Sequence, residues 1–141
     1  MKIELIDISD LAKGDRSGHL RNLHALVLNG KSEALNGIKE LKRNHPEDYK
    51  KIRRTARYVL CSSHLINPNR VKESNQHQGI YEMRGGQARL FFFFDNDQIV
   101  ICTNLYWKTK GSKREQNRAF ERCALLRDAY MDCGGRKGSG K

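Results

Sequence analysis

The sequence predicts an α+β domain, on three observations. First, residues 79–110 read G-I-Y-E-M-R-G-G-Q-A-R-L-F-F-F-F-D-N-D-Q-I-V-I-C-T-N-L-Y-W-K-T-K. Apolar, β-branched and aromatic runs at 80–84, 89–94 and 98–106 predict three consecutive strands. Gly85-Gly86 and Asp95-Asn96-Asp97 supply the turns between them. Second, Pro46 followed by Glu47 and Asp48 opens a helix before the strands, because proline wastes no N–H in a first turn and acids suit its positive end. Third, Ala119, Cys123, Leu126 and Tyr130 recur at core spacing in a last helix over about 113–131.

The remaining elements follow in chain order. Residues 1–8 alternate loosely through Ile3, Leu5, Ile6 and Ile8, as an edge or outer strand of the same sheet would. Residues 10–18 are polar with two glycines and read as loop. Leu20, Leu23 and Val27 recur at helical spacing and end at Asn29-Gly30, which predicts a helix with its C-cap there. Ser32 is placed to cap a second helix carrying Leu35, Ile38 and Leu41 and ending near Asn44, with Gly37 as its weak point. The helix opened by Pro46 carries Tyr49, Ile52, Ala56 and Val59 on one stripe. Lys50, Lys51, Arg53, Arg54 and Arg57 cover the rest, as a solvated face or as one turned toward nucleic acid. Residues 61–78 have no strong pattern. The glycine-, serine- and lysine-rich stretch 134–141 is expected to be disordered, leaving one domain over 1–133 of the 141 residues.

Composition narrows the partners. There are 27 Lys+Arg against 16 Asp+Glu, a formal net charge of +11. A polyanion is the expected partner, since each phosphate contact releases condensed counterions. No apolar run is long enough to cross a bilayer, and Glu4, Asp7 and Asp10 interrupt any signal-like reading of the first residues. Cys61, Cys102, Cys123 and Cys133 lack metal-ligand spacing and read as reduced thiols of a cytoplasmic protein. No metal, nucleotide or nucleophile-elbow signature is present, so no cofactor is expected.

Within the strands, a two-residue loop at Gly86-Gln87 puts glycine where a type II′ turn needs positive φ. Arg84 and Arg89 then oppose each other directly. Like charges so placed are unfavourable unless an anion comes between them, and paired guanidiniums are good phosphate ligands. A solvated hairpin tip is the alternative. Leu90, Phe92 and Phe94 share the face expected to meet the helices, while Arg89, Phe91 and Phe93 point the other way. Phe91 beside an arginine is suited either to stacking an RNA base or to core packing. His77, just before the first central strand, is a better proton-transfer candidate than His64.

The order helices, G-I-Y-E-M-R, hairpin, R-L-F-F-F-F-D, a strand ending Y-W-K-T-K, and a helix beginning near K-R-E-Q-N-R-A-F resembles the RelE/HigB-type toxins of toxin–antitoxin pairs, in their phage-derived HigB-like branch. The resemblance is best from about Lys72 to Tyr130. It implies a small, twisted, mainly antiparallel sheet with helices packed on one face and a C-terminal helix. It also implies an endoribonuclease needing no metal, which cuts messenger RNA on the ribosome and is held in check by a cognate antitoxin. In such chemistry a base activates the ribose 2′-OH, cations hold charge developing on the phosphate, and an acid protonates the leaving 5′ oxygen. Arg89 matches the strand arginine that contacts the scissile phosphate in the family. Arg84 matches a backbone clamp, Lys108 a lysine after the last strand, and Lys72 one preceding the central strands. Lys110, Lys113 and Arg114 extend the basic segment as RNA contacts.

Departures from the family leave the base and acid unassigned. Where some relatives carry a lysine pair in the first central strand, this chain has Ile80 and Glu82. Glu82, Tyr106 and His77 are the candidates. Alternation puts Glu82 on the face of Arg84 and Arg89, where two guanidiniums would hold its charge and make it a poor base or simply an ion-pair partner. A non-catalytic basic module that blocks translation by occupying the ribosome or RNA is the competing reading. A DNA-binding regulator is a third, without a convincing recognition helix.

Overall fold

The structure is a computed structural model, and it describes residues 2–12, 14–63, 67, 69–108 and 113–133. Among the described residues, nine main elements follow one another: β1 (Ile3–Asp7), β2 (Asn22–Leu28), α1 (Glu33–Asn44), α2 (Pro46–Cys61), β3 (Val71–Glu73), β4 (Ile80–Gly85), β5 (Ala88–Asn96), β6 (Ile99–Trp107) and α3 (Lys113–Asp132). The strands form one sheet in the order β1-β2-β6-β5-β4-β3. Four of its pairs are antiparallel, and only β2 runs parallel to its neighbour β6. The mixed, mainly antiparallel α+β architecture is as expected, as are β1 at the edge, the three central strands and α3.

Helix boundaries follow their chemistry. The Ser32 side chain accepts from Leu35 N–H and starts α1, which ends at Asn44. Pro46 occupies the first turn of α2 with Glu47 and Asp48 beside it. The cations on α2 do not form an open face throughout. Arg53 donates to the Leu11 carbonyl at 2.9 Å and Arg57 to that of Asp15 at 3.1 Å, tying the loop after β1 to the helix.

The helix expected around Leu20–Val27 is instead β2. Leu23, Ala25, Leu26 and Val27 are all buried, because β2 lies between β1 and β6 and is covered on both faces. A strand buried on both sides loses its period-two alternation, and a short apolar run then fits a helical spacing equally well. Asn29 (φ 51°) and Gly30 (φ 80°) both adopt left-handed backbone, and Leu28 and Lys31 exchange N–H···O bonds of 2.7 and 3.0 Å. This is a type I′ reversal. A helix C-cap asks for the same dihedral region, which is why the dipeptide misleads. Within the stretch without a strong pattern, Val71–Glu73 form a strand that was not expected: β3 pairs with β4 and extends the sheet by one edge strand.

The sheet has a core on each side. Leu23, Ala25, Met83, Leu90, Phe92 and Cys102 pack with α1 and α2 through Ile38, Leu41, Ile52, Ala56 and Val59. Ile80, Phe91, Phe93, Ile101 and Leu26 pack on the other side with Phe120, Cys123, Leu126 and Tyr130 of α3. The two-helix layer thus covers one face, and the C-terminal helix takes the opposite one. This placement decides the fate of every charged residue on β4 and β5. The expectations for His64, Lys110 and the 134–141 tail lie outside the described residues.

Candidate anion-binding site

The β4–β5 hairpin closes with Gly85 paired to Ala88, so Gly86-Gln87 is the two-residue loop. Gly86 has φ 61° while Gln87 keeps ordinary backbone, as a type II′ turn requires. A side chain at Gly86 would also collide with the Asp48 carboxylate. Asp48 Oδ2 accepts from Gln87 N at 3.2 Å and from the Trp107 indole at 2.9 Å, and His45 stacks on that indole at 3.9 Å. The start of α2 therefore clamps the hairpin tip and the end of β6 together.

Arg84 and Arg89 are paired across the ladder as expected. The anion between them belongs to the chain itself. Glu82, fully buried, takes Arg84 Nε on Oε2 at 2.5 Å and lies 3.6 Å from Arg89 Nε. Its other oxygen accepts from Gln116 of α3 at 2.8 Å. Arg89 gives Nη1 to the carbonyls of Gly86 (2.8 Å) and Ala88 (2.9 Å), while its Nε has no hydrogen-bond partner among the described residues. Burial pulls the Arg89 guanidinium below its ordinary pKa; the Glu82 carboxylate acts in the opposite direction.

Register extends this cluster into a row of side chains that steps across four strands on two neighbouring rungs. Lys72 of β3 faces Glu82, Arg84 faces Arg89, and Arg89 faces Tyr106 of β6. The first turns of α3 lie above the row, and a cleft of about 610 Å³ opens between them. Lys72, Arg84, Lys108 and Lys113 line it with the polar side chains of Ser74, Gln116 and Asn117. No carboxylate is among its described lining residues. A neighbouring groove of about 540 Å³ shares Lys113 and Asn117 and adds Arg114, Arg118 and Glu121. Four cations from β3, β4, the end of β6 and α3 thus converge on one concave surface beside the positive end of a helix. Such a surface can hold an anion with several acceptor oxygens.

The other candidate residues fall elsewhere. Tyr106 is next to Arg89 in register, but its hydroxyl donates to Glu115 at 3.2 Å and the residue does not line the cleft. His77 is also absent from the lining; its backbone N–H donates to Ser74 Oγ. Phe91 has no exposed face to offer a base. It is fully buried with its ring edge-on to Phe120, 4.8 Å between centroids, because α3 covers the face of β5 that looked open in the sequence. Gln116 and Asn117 were not singled out from sequence. Their spacing from Lys113 and Phe120 puts all four along one face of α3, the signal that would have found them. Among the described residues, no group of three His, Cys, Asp or Glu side chains is placed to hold a metal ion, and no helix is long and apolar enough to cross a membrane. Compared with protein-family models and with curated proteins, the chain matches none.

Proposed function

We propose that this chain is the toxin of a toxin–antitoxin pair, a metal-independent endoribonuclease that cuts messenger RNA on the ribosome. The observation that carries the reading is the convergence of Lys72, Arg84, Lys108 and Lys113 on a cleft without a described carboxylate. The RelE/HigB-like order of motifs, from G-I-Y-E-M-R to Y-W-K-T-K, supports it. In the reaction the ribose 2′ oxygen forms a bond to the adjacent phosphorus, and the bond from phosphorus to the 5′ oxygen breaks. The products are a 2′,3′-cyclic phosphate and a 5′-hydroxyl, with one proton passing from the 2′ oxygen to the 5′ oxygen. Charge builds on the non-bridging oxygens at the transition state, and fixed cations stabilise it more than they stabilise the substrate. A cytoplasmic location and an antitoxin that offsets the basic surface complete the proposal.

One observation favours a second reading, in which the basic cleft binds RNA or ribosome and blocks translation by occlusion. Glu82, the carboxylate bonded to Arg84, is occupied by Arg84 and Gln116, and no histidine is among the described residues that line the cleft. Mapping messenger RNA ends on programmed, translating ribosomes separates the two. Cuts at defined positions in the codon, weakened by Lys72→Ala and Lys108→Ala, are expected for the nuclease. Stalled translation on intact messenger would leave occlusion as the mechanism.

A further inference from the structure

We infer that Arg84, and not Arg89, is the guanidinium that meets an RNA phosphate, and that Glu82 is the positioning residue that gives the two arginines different work. The inference rests on reading the cleft as a phosphate site. Arg84 and Arg89 are the same residue type at one ladder position, yet their surroundings differ. Arg89 keeps 10% of its side chain exposed, gives Nη1 to two backbone carbonyls of its own hairpin, and is not part of the cleft wall. Arg84 keeps 27% exposed and lines the cleft beside Lys72 and Lys108.

Glu82 enforces that division. By holding Arg84 at Nε, it orients a planar fork of donors whose value in phosphate binding depends on direction. Through Gln116 the same carboxylate ties the first turns of α3 to the sheet, setting the height of the cleft wall. Glu82 is also an anion, so it weakens the pull of Arg84 on an incoming phosphate while fixing its geometry. A positioning role therefore trades affinity for alignment.

Binding is read with a short 2′-O-methyl oligoribonucleotide, which cannot undergo 2′-OH attack, by fluorescence anisotropy across a salt series. Turnover is read separately on programmed ribosomes. Arg84→Gln is expected to weaken the oligonucleotide about tenfold and to reduce the salt slope by about 0.7. Arg89→Lys is expected to keep affinity and slope within about twofold while lowering the melting temperature. Glu82→Gln is expected to tighten binding and lower KM by about threefold while kcat falls. Loss of binding in Arg89→Lys matching that in Arg84→Gln would overturn the inference. So would a Glu82→Gln protein whose affinity is unchanged or weaker. Should Arg89→Lys fail to fold, the Glu82→Gln affinity decides alone. Absence of salt-dependent binding by the unaltered chain would instead overturn the phosphate-site reading itself.

Discussion

The two faces of the β4–β5 hairpin are built from neighbouring residues and do opposite things. Met83, Leu90 and Phe92 press against α1 and α2 in an uninterrupted apolar layer. Glu82, Arg84 and Arg89, one residue out of phase, lie on the α3 side with Phe91 and Phe93. α3 resolves this mixed face along its own length. Its later turns, through Phe120, Cys123 and Tyr130, cover the apolar half, and its first turns carry Gln116 and Lys113 over the charged half. A sheet face need not be wholly core or wholly site. One amphipathic helix laid across it makes one end of each.

The largest effects should come from truncating the core on each side. Phe92→Ala and Phe91→Ala each remove a fully buried ring and are expected to cost about 3–5 kcal/mol, measured by denaturant melting. The two should part company in RNA binding at temperatures where both are folded. Phe92→Ala leaves affinity unchanged, whereas Phe91→Ala loosens Phe120, which lines the cleft, and weakens it. Equal affinities would mean that the α3 core and the cleft are not coupled.

Lys72→Ala and Lys108→Ala come next. Each is expected to reduce oligonucleotide affinity several-fold and the salt slope by about 0.7, with little change in melting. An unchanged slope in both would show that the cations contact no phosphate.

A subtler comparison uses the buried thiols. Cys102 of β6 lies under α1 and α2, and Cys123 is on the buried face of α3. Burial raises both thiol pKa values, that of Cys123 to about 12, so neither is a thiolate near neutrality in the folded protein. A thiol reagent should label exposed Cys133 first. Cys123 should follow, and Cys102 last, because a single helix opens more easily than a two-helix layer. Simultaneous labelling of Cys102 and Cys123 would mean that the faces unfold as one unit. Smallest of all is Arg122→Ala, which removes a bidentate pair to Glu33 joining α3 to α1. With both side chains nearly half exposed, a loss of about 0.5 kcal/mol is expected in a denaturant titration.

Much of this arrangement was legible in the chain because it depends on local chemistry. Turn glycine at 86, a serine cap at 32 and proline at 46 act through dihedrals and N–H groups within a few residues of themselves. Strand alternation likewise places Glu82, Arg84 and Arg89 on one face, and the charge of Lys72, Lys108 and Lys113 is evident in the sequence although their cleft is not. The residues around β2 failed this local test. Asn29-Gly30 satisfies a helix end and a I′ reversal equally well, and only the slot between β1 and β6 chose between them.

By itself, then, the sequence determined the three central strands, their register at the hairpin, α1 to α3, and the opposition of two arginines. Tertiary structure decided that β2 is a strand, that α3 crosses the sheet opposite α1 and α2, and that Phe91 is core. It also decided which anion separates Arg84 from Arg89. The reason is physical: dihedral preference and side-chain period are short-range properties carried by adjacent residues. Burial and charge pairing depend on what comes to lie above a strand, and here that is a helix more than thirty residues further on, whose Gln116 meets Glu82 at |i−j| = 34.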